Sequence, residues 1–177
     1  KESSPGYGNA YKAGFSAASG DVIITMDADD TYPLDAVASL LETLTGRDLD
    51  FITVRRIHLN WERTASLIIR FIGKKVLDLA GSALLLRALN DSQSGMWVFR
   101  RSILESMDLT SPGMSFSEEI KMEAFVRFRG RAAEIPVAYQ YRRRLGGSKL
   151  NLIGDGFYNL YFLFAKRARL LFHDRKN

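Results

Sequence analysis

The segment DVIITMDADDTYP, Asp21–Pro33, ends an apolar run with Asp27, Asp29 and Asp30 inside four positions. Carboxylates this close repel one another, so a positive charge is expected among them. Residues i and i+2 of an extended segment point the same way, so Asp27 and Asp29 can address one cation together. Hard carboxylate oxygens suit Mg²⁺ or Mn²⁺, whose shells are completed by water and substrate phosphate. Such an ion screens a diphosphate and stabilises it as a leaving group. The same residues also suit an acidic turn, where Asp is common and needs no ligand.

Two further segments carry polar chemistry. YRRRLGGSKLN, residues 141–151, sets Arg144, Ser148 and Lys149 around two glycines. Glycine lets backbone N–H groups approach a phosphate closely, although a charge run is also a common solvated loop. DSQSG, residues 91–95, reads as a polar turn before a strand, with Gln93, Ser94 and Gly95 at its tip. Glu118 and Glu119 read as first-turn helix charges, with a base role for Glu119 as the alternative. Trp61 and Trp97 read as core or interface residues.

Composition bounds the rest. The 177 residues allow one domain with a core, and 46% hydrophobic with 25% charged content is that of a folded chain. Cysteine is absent, which removes disulfides and thiolate chemistry and is compatible with a reducing cytoplasm. His58 and His173 form no zinc spacing. No run approaches the ~18 apolar residues of a spanning helix. From Tyr139 to Asn177 nine Lys/Arg stand against two acids, so this end carries +7 and the preceding chain −2. A basic end suggests an anionic partner.

The elements that must position these residues follow from periodicity. GYGNAYKAGFSAASGD reads as a helix whose small residues Ala10, Gly14 and Ala18 form a close-packing face. A strand over 21–26 follows, then a helix from Pro33 to Gly46, and a strand in DLDFITVRR. This alternation predicts an α/β sheet with mostly parallel strands flanked by helices. Residues 64–89 read as helix with a break near Gly73, GMWVFRR as a short strand, and 102–107 as a small helix. SFSEEIKMEAFVRFRG is a helix capped by Ser115 or Ser117, and RAAEIPVAYQYR is a strand. The last helix carries an apolar stripe through Ile153, Phe157, Leu160, Tyr161, Phe164, Ala168 and Leu171, then Lys166, Arg167 and Arg169. It reads either as docked or as lying on anionic lipid. No repeat or linker interrupts the chain; residues 1–151 are expected to form the catalytic domain and 152–177 the basic amphipathic helix.

Three motifs in order, GYGNAYKAGFSAASGDVIITMDADDTYP, DSQSGMWVFRR and EIPVAYQYRRRLGGSKLN, resemble the family 2 inverting glycosyltransferases, and within them the dolichyl- or polyprenyl-phosphate sugar synthases. The resemblance covers residues 6–151. It implies a GT-A fold, a nucleotide-sugar donor such as GDP-mannose or UDP-glucose, a divalent metal, a polyprenyl or dolichyl phosphate acceptor, and a place at the cytoplasmic face of a membrane. It matches Asp27 and Asp29 to the metal and donor pair. Gln93, Ser94 and Gly95 match the sugar and donor loop, and Arg144, Ser148 and Lys149 the phosphate-gathering loop. Arg56 falls at an acceptor-phosphate position, with Lys74 or Lys75 as the next. Asp29, Gln93 and Arg144 are thereby the expected catalytic residues. Thr31 departs from the Gln common in relatives, and the family's amino-terminal nucleotide-binding strand has no counterpart in this sequence.

Two rivals differ in class. VIITMDADDT also fits the start of haloacid-dehalogenase-like phosphatases, with Asp27 as nucleophile and Lys149 and IGDG as later motifs, but Leu160 stands where a further Asp is expected. A non-enzymatic basic module on membrane or nucleic acid is the other. No recognised nucleic-acid motif is present, so nucleic acid is not an expected partner.

Overall fold

The computed structural model describes residues 4–29, 31–58, 65–139 and 152–173. Along them run α1 (Tyr7–Ala17), β1 (Val22–Thr25), α2 (Ala36–Gly46), β2 (Phe51–His58), α3 (Ala65–Leu85) and β3 (Trp97–Arg100). A 3₁₀ turn (Arg101–Ser106), α4 (Phe116–Arg127), β4 (Ala132–Tyr139) and α5 (Leu152–His173) complete the order. Helix α3 is continuous through Gly73, where a break was expected.

The four strands lie in the order β1-β3-β2-β4. β2 and β4 pair in parallel, while β3 runs antiparallel to both β1 and β2. Three strands therefore share one direction, and the reversed β3 is inserted between β1 and β2. Neighbours in sequence are not neighbours in this sheet, and periodicity carries no signal for such an insertion. Pro136 is tolerated because β4 pairs only with β2 among the described strands.

Alternation along the strands feeds two cores. Phe51, Trp97 and Phe99 face α1 and α4, packing with Phe15, Phe116 and Ile120. Ile52, Val54, Met96 and Val98 face α2, packing with Leu40 and Leu44. The close approach of α1 uses Gly8 rather than the expected Ala10/Gly14/Ala18 face. A Cβ on Gly8 would stand 2.2 Å from Ser111 O, whereas one on Gly14 would meet nothing within 4 Å.

Helix α4 departs most from its pattern. All residues from Phe116 to Val126 are buried, including Glu118, Glu119, Lys121 and Glu123. Ser115 holds the N-cap position without a side-chain capping bond; its hydroxyl lies 2.6 Å from Ser111 Oγ. One side of α4 meets α3 and α5 through Leu77, Met122, Val126, Leu163 and Leu170.

The α5 stripe is turned the opposite way from a docked reading. Phe157, Tyr161, Phe164 and Leu171 are exposed, and the packed face carries Leu163, Lys166 and Leu170. Lys166 is not a surface charge. Its Nζ lies 2.7 Å from Glu123 Oε1, 3.2 Å from Glu119 Oε1 and 3.3 Å from Asp108 Oδ2. Burial opposes its charge, but the Glu123, Glu119 and Asp108 oxygens outweigh that and raise its pKa.

Removing one member of a buried ionic cluster leaves uncompensated charge and costs about 3–5 kcal/mol. Lys166→Met is expected to destabilise the fold by that order in denaturant titration, whereas Arg169→Met at an exposed α5 position changes it by less than about 0.5 kcal/mol.

Candidate active site

Asp27 and Asp29 follow directly on β1, with Asp27 half-buried and Asp29 exposed. β1 pairs Thr25 with Trp97, and continuing that register sets Asp27 across from Gly95. A Cβ on Gly95 would stand 3.5 Å from Asp27 Oδ1, in ordinary contact, and 2.9 Å from the Tyr7 hydroxyl, which would have to shift to make room. Burial, then the Tyr11 contact and the Asp27 charge, push the Tyr7 phenol well above its usual range, so it stays neutral. Asp29 Oδ1 accepts from Thr31 Oγ1 at 2.7 Å and from Thr31 N at 3.3 Å. Thr31 thus turns its hydroxyl onto Asp29.

The pair supplies hard oxygen donors of the kind Mg²⁺ and Mn²⁺ take. No cluster of three or more His, Cys, Asp or Glu suited to a metal occurs among the described residues. Two carboxylates fit an ion that keeps water and substrate phosphate in its shell.

The 91–95 loop opposite is held at every residue. Arg56 donates to Asp91 through Nε at 2.7 Å, Nη2 at 2.8 Å and its backbone N at 3.0 Å. Lys74 Nζ bonds Asp78 at 2.6 Å and lies 3.5 Å from Asp91. Asp78 Oδ1 accepts from both Ser92 N and Ser92 Oγ at 2.8 Å. Tyr32 OH meets Ser94 Oγ at 3.2 Å and receives Gly95 N at 3.1 Å. Gln93 Nε2 donates to Glu118 Oε1.

Burial alone would raise the Asp91 pKa, but the Arg56 bonds and the Arg56, Lys74 and Lys121 charges hold it far below the usual range. The same pairing overcomes the burial of Arg56 and keeps it charged. Arg56, expected to face an acceptor phosphate, thus spends two of its N–H groups on Asp91 and lies 5.4 Å from the Tyr139 ring centroid. Glu118 is pushed up from 4.5 to about 7 by burial, against the Gln93 bond and the Lys121 charge. Its Oε2 has no hydrogen-bond partner among the described residues.

The fold brings Asp27 and Gly95 together and places Gln93 and Ser94 on the same loop. Lys75 is exposed on α3. Arg144, Ser148 and Lys149 lie outside the described residues, as do Asp30 and Trp61. Trp97 is core, as its type suggested. Glu119 is fully buried and bonded to Thr110 Oγ1 and Ser111 N, so it has no access for a base role. Gly154-Asp155-Gly156 falls inside α5, not in a loop after a strand as the phosphatase reading needs. Tyr32, Asp78, Glu118 and Lys121 were missed. Asp78, Glu118 and Lys121 are charged residues on helices, where charge usually marks the solvent side, and Tyr32 stands in a bend between β1 and α2.

Asp91→Asn leaves the Arg56 guanidinium short of a counter-charge. A loss of about 3–5 kcal/mol is expected in denaturant titration, with no recovery at higher pH. A second measurement reads Glu118. Between pH 4.5 and about 7 the folded chain keeps a proton that the unfolded chain releases, so this group's contribution to stability falls as pH rises through that window. Glu118→Gln is expected to flatten that part of the midpoint-versus-pH curve, compared with the unsubstituted chain.

The Glycosyl transferase family 2 profile matches residues 1–108. The chain is 31% identical over 175 residues to the low-salt glycan biosynthesis hexosyltransferase Agl6 of Haloferax volcanii, covering 94% of this chain and 40% of that protein. It is 29% identical over 151 residues to a dolichyl-phosphate hexose transferase of the same organism, covering 85% and 63%. Glucosyl-3-phosphoglycerate synthase from Mycobacterium tuberculosis, solved with Mn²⁺, UDP-glucose and phosphoglyceric acid, superposes with a TM-score of 0.69 at 19% identity, over 93% of this chain and 56% of that one. The chain spans 40 to 65% of the length of the curated relatives it matches. With its mixed sheet flanked by helices and its two aspartates at the end of β1, the chain has a GT-A fold and belongs to glycosyl transferase family 2.

Proposed function

We propose that this chain carries the sugar-transfer site of an inverting glycosyltransferase that uses a nucleotide-sugar donor, GDP-mannose or UDP-glucose, and a polyprenyl or dolichyl phosphate acceptor. The observation that carries this reading is the approach of Asp27 to Gly95 at the paired ends of β1 and β3. Relatives named dolichol-phosphate mannosyltransferase in Pyrococcus furiosus and undecaprenyl-phosphate mannosyltransferase in Micrococcus luteus support the acceptor class.

In the proposed reaction an acceptor phosphate oxygen forms a bond to the anomeric carbon. The bond from that carbon to the donor diphosphate breaks from the opposite face, and the nucleoside diphosphate leaves with the electron pair. A phosphate monoester is already largely ionised near neutral pH, since its second pKa is about 6. The site therefore needs no strong base, which agrees with the burial of Glu119. A divalent cation, Mg²⁺ or Mn²⁺, held by Asp27 and Asp29 would neutralise the leaving diphosphate. Gln93, Ser94 and Gly95 would line the donor sugar. Lys75, Arg144, Ser148 and Lys149 are the residues proposed for the acceptor phosphate, where an arginine fork suits its oxygens; Arg56, whose Nε and Nη2 are bonded to Asp91, is proposed to act there through its charge. Residues 1–151 would form the catalytic unit and 152–177 the helix that meets the membrane.

No described helix is long and apolar enough to cross a membrane. Exposed apolar residues nonetheless line α3 at Ile72, Val76 and Leu79 and α5 at Phe157, Tyr161 and Phe164. Exposed apolar residues on two helices suit a bilayer interface and support peripheral attachment; the cytoplasmic face is proposed with the acceptor class, as the place where a lipid phosphate would be met.

The test supplies the full chain with labelled GDP-mannose or UDP-glucose, polyprenyl phosphate in vesicles and Mn²⁺, and extracts product into organic solvent. Label is expected in the lipid fraction, and Asp29→Ala is expected to lower that turnover by about 10²-fold or more. Full turnover by Asp29→Ala, or release of phosphate from a phosphomonoester without any sugar transfer, would overturn the proposal.

A further inference from the structure

Lys121 projects from α4 into the underside of the 91–95 loop, with about 1% of its surface exposed. Its Nζ lies 2.6 Å from Ser92 O, 2.7 Å from Ser94 O and 3.1 Å from Ser117 Oγ. The Trp97 ring stands below, its centroid 5.8 Å from Nζ. Among the described residues no carboxylate approaches it within ion-pair distance. A buried ammonium is costly unless its charge and its three N–H groups are met. Burial pulls the Lys121 pKa down from 10.5 to about 7, against the Asp91 and Glu118 charges, and its N–H groups go to the Ser92 and Ser94 carbonyls of the loop that faces Asp27 and to Ser117 Oγ.

We infer that Lys121 is a positioning residue for sugar transfer: its ammonium gathers the Ser92 and Ser94 carbonyls inward and so fixes Gln93 and Gly95 beside Asp27. The inference rests on the transferase reading of the Asp27 site. The two carbonyls are not equivalent. Ser94 O also accepts from Trp97 Nε1 and Ser117 Oγ, both at 3.1 Å. Ser92 O has Lys121 as its one hydrogen-bond donor among the described residues. Without the ammonium this buried oxygen is stranded, and the Ser92–Gln93 peptide must rotate to reach water. That rotation would carry the Gln93 side chain off Glu118.

The arrangement also has an electrostatic sense. Carbonyl oxygens are the negative ends of the peptide dipoles. Drawing two of them onto a cation inside the protein keeps them from facing the site where a donor diphosphate would lie. Ordinary core packing would explain an apolar residue at position 121; it does not explain a lysine whose two shortest contacts are carbonyls of one loop.

The test compares the full chain with Lys121→Met and Ser117→Ala by amide hydrogen exchange over residues 91–97 and by donor kinetics. In Lys121→Met, exchange at 92–95 is expected to quicken by about tenfold, while β2 and α2 keep their protection. Turnover is expected to fall by about 10²-fold through kcat, with donor KM within about threefold, as for a misplaced but still bound substrate. Ser117→Ala, which leaves both carbonyl contacts to Lys121, is expected to quicken exchange at 92–95 by only about threefold. Loop exchange unchanged in Lys121→Met, or kcat unchanged in it, would overturn the inference. Should Lys121→Met fail to fold, Lys121→Gln decides: faster exchange confined to 92–95 together with a lowered kcat supports the role, and an unchanged loop overturns it. The exchange arm needs no turnover. A chain that moves no sugar but shows the loop effect therefore defeats the transferase reading and keeps Lys121 as the loop's organiser.

Discussion

An ammonium cannot be taken out of water without replacing what water gave it. Lys121 meets that requirement in part, with two carbonyls of one short loop and the Ser117 hydroxyl, and much of the surrounding arrangement follows. The loop must curl over α4 to present two carbonyls in one direction. Its outward side is then supplied by Arg56, Asp78, Tyr32 and Glu118, each bonded to a different loop residue. The register of β1 against β3 brings Asp27 to the same place, because Thr25 pairs with Trp97 and its hydroxyl also donates to Gly95 O at 3.1 Å. A buried polar network with nearly every member satisfied is rigid, which is what a site that works by placement and charge requires.

Helix α4 serves two neighbours with one run of charged residues. Glu118 and Lys121 face the loop. Glu119 and Glu123 face Lys166 on α5. The helix that carries the exposed apolar stripe is thus joined, through one buried helix, to the loop beside the two aspartates. Leu163 and Leu170 supply apolar contact there, and the Lys166 cluster sets which face of α5 turns inward.

Much of the fold was legible in the sequence because it depends on local signals. The order of helices and strands followed from periodicity, and DADD at the end of an apolar run marked the carboxylate pair. The failures share one cause. SFSEEIKMEAF reads as a helix whose glutamates are ordinary first-turn charges, and Glu and Lys are rarely buried. Yet each of those charges has its partner elsewhere in the chain: Gln93 for Glu118, Ser111 for Glu119, Ser92 for Lys121. The α5 stripe of Phe157, Tyr161 and Phe164 was likewise the most apolar face of its helix, but the face that packs holds Lys166.

The sequence alone determined the kinds of group at the site and their local spacing: two carboxylates at i and i+2 on a strand end, a polar DSQSG turn, and helices of the right length between them. Tertiary structure alone decided that β3 enters between β1 and β2, that Gly95 meets Asp27, that Arg56 is bound to Asp91, and that a lysine on α4 lies beneath the loop. The reason is physical. Periodicity records which residues of one element share a face, whereas strand insertion and the pairing of buried charges depend on contacts between residues 27 to 72 positions apart, which no local pattern encodes.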